Sequence, residues 1–217
     1  MLKNNELIKT MTIDEKLSLT SGKNFWETQE LPEKGVPSIF LADGPHGIRR
    51  QEKSADHLGL NESVKATCFP TAATLANSFD KDLLNEVGKA IGEEARYQNV
   101  NVLLGPGVNI KRNPLGGRNF EYFSEDPYLA GHLASSMIKG IQSSGVASTV
   151  KHFAANNQET NRMVVDTQVD ERTLNELYLL PFEMAVKDAK TKVVMSAYNK
   201  INGEYANENT YLMKDVL

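Results

Sequence analysis

Residues able to do chemistry concentrate in "STVKHFAANNQETNR", Ser148 to Arg162, where a β-branched run gives way to Lys151, His152 and an amide-rich segment ending in Arg162. Seven of the eight residues from Asn156 to Met163 are polar or charged, more than a short connection requires. A strand that ends in two cations is either a solvated end or one wall of a site. Three other segments share this character: Asp43 to Arg50, Asn109 to Arg118, and Tyr198 to Asn202. Together Asp43, Arg49, Arg118, Lys151, His152, Arg162 and Tyr198 form a set of charged donors around at least one carboxylate acceptor. Such a set suits a ligand dense in hydroxyls, because a polyhydroxylated ring both donates and accepts, and charged groups make the stronger hydrogen bonds to it. A phosphate would want the donors without Asp43.

Each of the four segments follows an apolar, β-rich run: "SIFLAD", "VNVLLGP", "VASTVKHF" and "KVVMSAYN". Helical patterns alternate with these runs. Thr12 and Glu15 have capping-box spacing at the head of "TIDEKLSLTSG", a short helix ending at Gly22. Asp80 caps a helix through "LLNEVGKAIGEEARYQ", with Leu83, Leu84, Val87 and Ile91 on one stripe. Asp126 followed by Pro127 starts another that runs toward Gly140, since proline's missing N–H costs nothing at the first helical position. Asp170 caps "ERTLNELYLLPFEMAVKDA", which Pro181 would kink or divide, and "TYLMKDVL" begins a last helix. Strand alternating with helix predicts an α/β fold with a parallel sheet, either doubly wound or a barrel. Parallel strands share one carboxyl-end face where functional loops gather, so the four segments are expected to converge on one pocket.

Composition narrows the function classes. The 217 residues are 40% hydrophobic and 24% charged, enough for one sizeable core. A net charge of -4 argues against a phosphate-backbone binder, so nucleic acid is not an expected partner. Cys68 is the only cysteine, and "MLKNNELIKTMTIDEK" lacks the apolar core of a signal peptide, so a cytoplasmic setting is expected. No apolar run approaches the ~20 residues that span a bilayer.

Six segments in order, "LADGPHGIRR", "FPTAATLANSFD", "GPGVNIKRNPLGGRNFEYFSEDPYLAG", "TVKHFAANNQETNR", "VDERTLNELYLLPFE" and "VVMSAYNKINGEYANEN", resemble the N-terminal barrel of glycoside hydrolase family 3, the retaining β-glucosidase and β-xylosidase group. The likeness runs from about Thr12 to the last residue. It implies a TIM-barrel-like (β/α) fold, here its first half to two-thirds, over residues 1–217, with the remaining barrel and a C-terminal domain absent. It implies a substrate carrying a terminal nonreducing β-D-glucosyl residue, and no cofactor. Asp43 and Arg49 match positions that hold sugar hydroxyls away from the scissile bond. Arg118, Lys151 and His152 match further hydroxyl-binding positions, and Arg162 and Tyr198 match residues bordering the nucleophile. Retention requires two carboxyl groups roughly 5 to 5.5 Å apart. In the family the nucleophile is an Asp in a Ser-Asp-Trp segment, and the only tryptophan here is Trp26. The nucleophile is therefore expected beyond Leu217, and the chain alone is expected to be inactive.

Several positions have plainer readings. Asp-Gly-Pro at Asp43 is ordinary turn chemistry. Arg118 could form a surface bridge with Glu121, worth little. Lys151 could face solvent. His46, His57 and His132 read as satisfied structural histidines, no metal spacing appears among them, and Cys68 reads as a buried small hydrophobe. Glu159 reads as a partner for neighbouring amides and cations. The "GPG" after the second strand lacks the third glycine of a dinucleotide fingerprint. Two other functions stand beside the hydrolase: a noncatalytic sugar-binding or interaction fragment, able to self-associate or pair with the rest of an enzyme, and a Schiff-base aldolase using Lys151.

Overall fold

The protein is represented by a computed structural model that describes residues 4–51 and 62–217. Two short helices open the chain, α1 (Asn5–Thr10) and α2 (Ile13–Ser18). The predicted capping box is present: the Thr12 hydroxyl accepts from the Glu15 N–H, and the Glu15 carboxylate accepts from the Thr12 N–H. The helix stops at Ser18 instead of reaching Gly22, and Ile13 and Leu17 remain exposed, so no core contact extends it.

The central sheet is parallel, in the order β1 (Leu41–Ala42), β2 (Val102–Leu103), β3 (Ala147–Phe153), β5 (Val193–Ser196). Every strand matches one of the four predicted runs, though β1, β2 and β5 are shorter than the apolar stretches that announced them. Between them lie α3 (Ala72–Ala76), which the periodicity did not announce, and the long α4 (Lys81–Tyr97) and α5 (Pro127–Ser143). Asp80 and Asp126 cap α4 and α5 as their sequence positions predict, with Pro127 in the first turn of α5. Leu84 and Ile91 of the predicted stripe are buried, whereas Leu83 is exposed.

The helices pack through close backbone contact. A Cβ on Gly140 would lie 2.2 Å from the Asn85 carbonyl oxygen, and one on Gly88 would lie 2.3 Å from that of Met137. Around this contact Leu84, Ile91, Leu133, Met137, Ile138 and Ile141 join Leu103, Val150 and Phe153 of the sheet in one core. Phe153 meets Phe182 edge-on with ring centroids 5.1 Å apart.

The segment after Asp170 is divided, as Pro181 demands. α6 (Glu171–Thr173) passes through a π-helical turn at Leu174–Leu179 into α7 (Leu180–Lys187), where Pro181 sits in the first turn. A second, three-stranded sheet was not anticipated: β4 (Asp166–Thr167) pairs in parallel with β6 (Lys200–Ile201), which pairs antiparallel with β7 (Glu204–Tyr205). Its hairpin turns at Asn202 and Gly203, both at positive φ, and Asn-Gly is the pair that a tight hairpin favours. The tail Tyr211–Val216 is π-helical. Among the described residues no helix is long and apolar enough to cross a membrane.

Gly140→Ala is expected to cost on the order of 1–3 kcal/mol, because the added methyl meets backbone that cannot swing aside. Urea unfolding of the variant against the parent chain checks it, and an unchanged midpoint would contradict the close approach.

Candidate functional site

Asp43 stands at the carboxyl end of β1 in a turn built by glycine. Gly44 and Gly47 have φ of 117° and 144°, and a Cβ on Gly44 would fall 2.0 Å from the Gly47 carbonyl oxygen. The turn brings Arg49 back across Asp43, with the Arg49 N–H donating to the Asp43 carbonyl at 2.9 Å. Beyond β2 the chain stays beside β3: the Lys151 N–H donates to the Pro106 carbonyl at 3.1 Å and the Val108 N–H to the Lys151 carbonyl at 2.8 Å. Lys151 and His152 are thus strand residues on β3, fixed by neighbours on both sides.

From the fixed backbone an alternating chain of charges extends. Lys151 Nζ lies 3.1 Å from Asp43 Oδ1 and 3.4 Å from Glu121 Oε2, and Arg49 reaches Asp43 Oδ2 at 3.4 Å. Arg118 donates from Nε to Glu121 and lies 3.9 Å from Glu159, which accepts from Arg162 at 2.6 Å. The Arg162 guanidinium sits 4.4 Å from the centre of the Tyr198 ring. That ring in turn stacks against His152, with centroids 6.3 Å apart at 29°. All seven predicted site residues therefore belong to one connected cluster fed by the ends of β1, β3 and β5 and by the loops after β2 and β3.

Three of the plainer readings are corrected here. Lys151 is only 2% exposed and does not face solvent. The Arg118–Glu121 pair does form, but Glu121 is 3% exposed, so it is a buried pair and not a surface bridge. Cys68 is exposed and lines, with Asp43, His46, Arg49, Arg118 and Glu121, a cavity of about 550 Å³. His46 also departs from expectation, since neither ring nitrogen finds a hydrogen-bond partner. His132 packs edge-on against Tyr128, and His57 lies outside the described residues. Glu159 does serve neighbouring cations.

Glu121, Tyr122 and Asn109 are the residues that sequence reasoning missed. The Asn109 side chain brackets the His152 backbone, accepting its N–H at 3.0 Å and donating to its carbonyl at 2.9 Å. His152 Nδ1 faces Asn109 Oδ1 at 3.3 Å and the Tyr122 hydroxyl at 3.2 Å. An amide oxygen only accepts, so this neighbourhood puts the proton on Nδ1 and leaves Nε2 as an acceptor. For Glu121 and Tyr122 the available signal was the "NFEYF" run of acid and aromatics, which begins two residues after the pair Gly116-Gly117 and carries no periodicity of its own.

The electrostatics follow from this packing. Burial alone would push the Asp43 carboxyl up, but Lys151, the Gly44 N–H and Arg49 outweigh it and hold the acid below its ordinary range. Burial drives His152 well below the usual histidine value, and Arg118, Lys151 and Arg162 drive it further, so the ring is neutral. Burial also pushes the Tyr122 phenol up, keeping its proton in place. For Arg118 the burial penalty is overcome by Glu121, and its charge is secured. The site thus presents an ionised acceptor at Asp43, a neutral acceptor at His152 and fixed cations between them.

The parallel strands follow one another in chain order, β1-β2-β3-β5, with helices between them, as they do in the α/β-barrel class of proteins. The model of the glycosyl hydrolase family 3 N terminal domain matches residues 33–217, and the chain belongs to that family. It is 59% identical over 212 residues to thermostable beta-glucosidase B of Acetivibrio thermocellus, covering 98% of this chain and 28% of that protein. It is 52% identical over 211 residues to an exo-alpha-(1->6)-L-arabinopyranosidase of Bifidobacterium longum, covering 97% of this chain and 28% of that protein. Beta-glucosidase 3B from Thermotoga neapolitana, solved in complex with alpha-D-glucose, superposes with a TM-score of 0.92 at 49% identity, over 100% of this chain and 32% of that one. The chain spans less than a third of the length of these relatives.

The depressed histidine makes stability pH-dependent. His152 takes up its proton near pH 6.5 when unfolded and resists it when folded, so the stability it contributes is complete above that pH and lost as pH falls below it. His46, lowered by burial, acts in the same direction. Denaturation midpoints between pH 7.5 and 5 are expected to fall, with a slope of up to ~1.4 kcal/mol per pH unit for each histidine. His152→Gln is expected to flatten the curve; an equally steep curve would contradict the neutral ring.

Proposed function

We propose that this chain forms the sugar-gripping part of a retaining glycoside hydrolase of the β-glucosidase type, acting on terminal nonreducing β-D-glucosyl residues. The observation that carries this reading is the Asp43–Lys151–Glu121–Arg118 chain at the strand ends, buried at Lys151 and Glu121 and half-buried at Asp43 and Arg118. It offers charged donors and acceptors at fixed positions, which a ring of hydroxyls can satisfy and water satisfies less well. In this reading Asp43 accepts from sugar hydroxyls, Arg49 and Lys151 hold it ionised and donate, and Arg118 donates beside them. His152 accepts through Nε2, and Arg162 and Tyr198 close the side toward the reacting carbon. The glucose in a relative's site and the beta-glucosidase names of the relatives support the choice of sugar.

Binding and hydrolysis are separate matters. A retaining mechanism needs a free carboxylate to attack the anomeric carbon and a second carboxyl, with a raised pKa, to protonate the leaving oxygen. Asp43 has a lowered pKa and is occupied by two cations. Glu121 and Glu159 are each occupied by cations as well. Residues 1–217 are therefore proposed to be the N-terminal portion of a longer enzyme, consistent with their matching 28% of a relative's length. The aldolase reading loses support because the Lys151 ammonium is engaged by two carboxylates at 2% exposure. A cytoplasmic setting accompanies the proposal, favoured by the single cysteine, which needs no oxidised partner.

The expected result is that the 217-residue chain binds glucose in calorimetric titration without releasing nitrophenol from aryl β-glucosides. Asp43→Asn should weaken binding about tenfold or more, since a hydrogen bond to a charged group is worth ~1.5–3 kcal/mol. Turnover that survives repurification and vanishes in Glu159→Gln would overturn the division of labour.

Self-association is proposed from the sheet edge. All four residues of β5 are only half-buried and only β3 pairs with it among the described strands, and an open parallel edge invites another strand. Light scattering is expected to report species heavier than 24.1 kDa; a well-behaved monomer with a cooperative melt would contradict this.

A further inference from the structure

Three further cavities, of about 1010, 990 and 460 Å³, surround the loop after β2, and Arg112 lines all three. The largest touches the charged cluster, because Glu159 lines it as well as the cavity beside Asp43. The other two have Lys111, Arg112 and Glu125 in common, and none of the seven residues predicted for the sugar site lines either.

Lys111 is half-buried on this shared wall and enters no ion pair among the described residues. Its acidic neighbours are engaged elsewhere or out of reach. Asp126 and Asp170, on the wall of the 990 Å³ cavity, each serve as a helix cap, and Glu125 lines both cavities without pairing with the ammonium. Burial pushes Lys111 below the ordinary lysine value, and no carboxylate offsets it. More of its amine is therefore unprotonated at a given pH than in a solvated lysine, and the unprotonated amine is the nucleophile. Arg112, the next residue, is exposed and contacts only the Tyr178 hydroxyl, at 3.4 Å, which leaves most of its donors unused. A guanidinium in that state suits a phosphate, which it can grip with two parallel hydrogen bonds. Phe123 and Leu129 line the smaller cavity and Val169 and Leu177 the larger, so a short alkyl group finds apolar surface beside the amine.

We propose that Lys111 is an acyl-acceptor site, modified by small acyl phosphates whose phosphate Arg112 holds. The Lys111 amine attacks the acyl carbon, and the bond from that carbon to the bridging phosphate oxygen breaks. Phosphate leaves with the electron pair, and the nitrogen gives its surplus proton to water. The products are an amide and inorganic phosphate, with no change of oxidation state. This chemistry is independent of the sugar-gripping reading, since the two cavities share no residue with the charged cluster.

Acetyl phosphate is the probe. The chain is treated with it, remaining amines are capped in denaturant with deuterated acetic anhydride, and the tryptic peptide 97–112, whose only lysine is Lys111, reports the extent; in Arg112→Gln that peptide runs to Arg118. Lys111 is expected to react about fivefold or more faster than Lys81 and Lys139, which are exposed. Arg112→Gln is expected to slow acetyl phosphate at Lys111 about threefold or more while leaving its reaction with a neutral acetylating ester unchanged. If Lys111 reacts no faster than the two exposed lysines, the site is overturned. A lead over them that Arg112→Gln leaves intact overturns the acyl phosphate as reagent. Equal slowing of the neutral ester overturns the phosphate-holding role of Arg112.

Discussion

An ammonium group buried to 2% exposure must be neutralised where it sits, and Lys151 is neutralised by carboxylates from two other parts of the chain. Asp43 comes from the end of β1 and Glu121 from the loop after β2. Neither can reach Nζ unless β1, β2 and β3 are in register, so the ion pairs report on the pairing of those three strands. An unpaired buried charge costs several kcal/mol, and this makes a slipped or partly assembled sheet unfavourable in proportion. The buried pairs contribute little net stability of their own; their effect is to leave one arrangement satisfied.

The same constraint shapes the electrostatics. Cations and carboxylates alternate from Arg49 to Arg162, so each charge is fixed by at least one neighbour. His152 departs from the alternation. Three nearby cations and deep burial keep it neutral, and the Asn109 amide fixes the strand that carries it. A neutral imidazole acceptor on β3 and an ionised carboxylate at the end of β1 give the site two acceptors of different strength. The 156–165 loop depends on this cluster too, since Glu159 ties it to Arg118 and Arg162.

How much of this was legible in the sequence differs from element to element. Asp80, Asp126 and Asp170 marked helix starts correctly because capping is a local bond between a side chain and the next turn. Pro181 marked the division of its helix because a missing N–H is equally local. The second sheet carried the Asn202-Gly203 pair as a signal, but strands of two residues have no periodicity to support it. Leu83 sat on the apolar stripe of α4 yet is exposed, because the buried face of that helix runs through Leu84, Gly88, Ile91 and Ala95 and Leu83 lies to one side of it. Cys68, Lys151 and Arg118 were each open to a plainer reading, and residue averages could not decide their burial.

What the sequence determined by itself was the supply of parts: an alternation of strands and helices, a cluster of hydroxyl-seeking residue types after each strand, and six ordered segments that resemble one family. These are properties of composition, spacing and order. Tertiary structure alone decided which carboxylates meet Lys151. Glu121 became the second partner of Lys151, Asn109 the bracket of His152, and Glu159 the wall shared by two cavities. Those relations join residues 30 to 108 positions apart, as with Lys151 and Asp43 or His152 and Tyr122. No local pattern encodes a contact of that range, because it exists only once the sheet has brought the strand ends together.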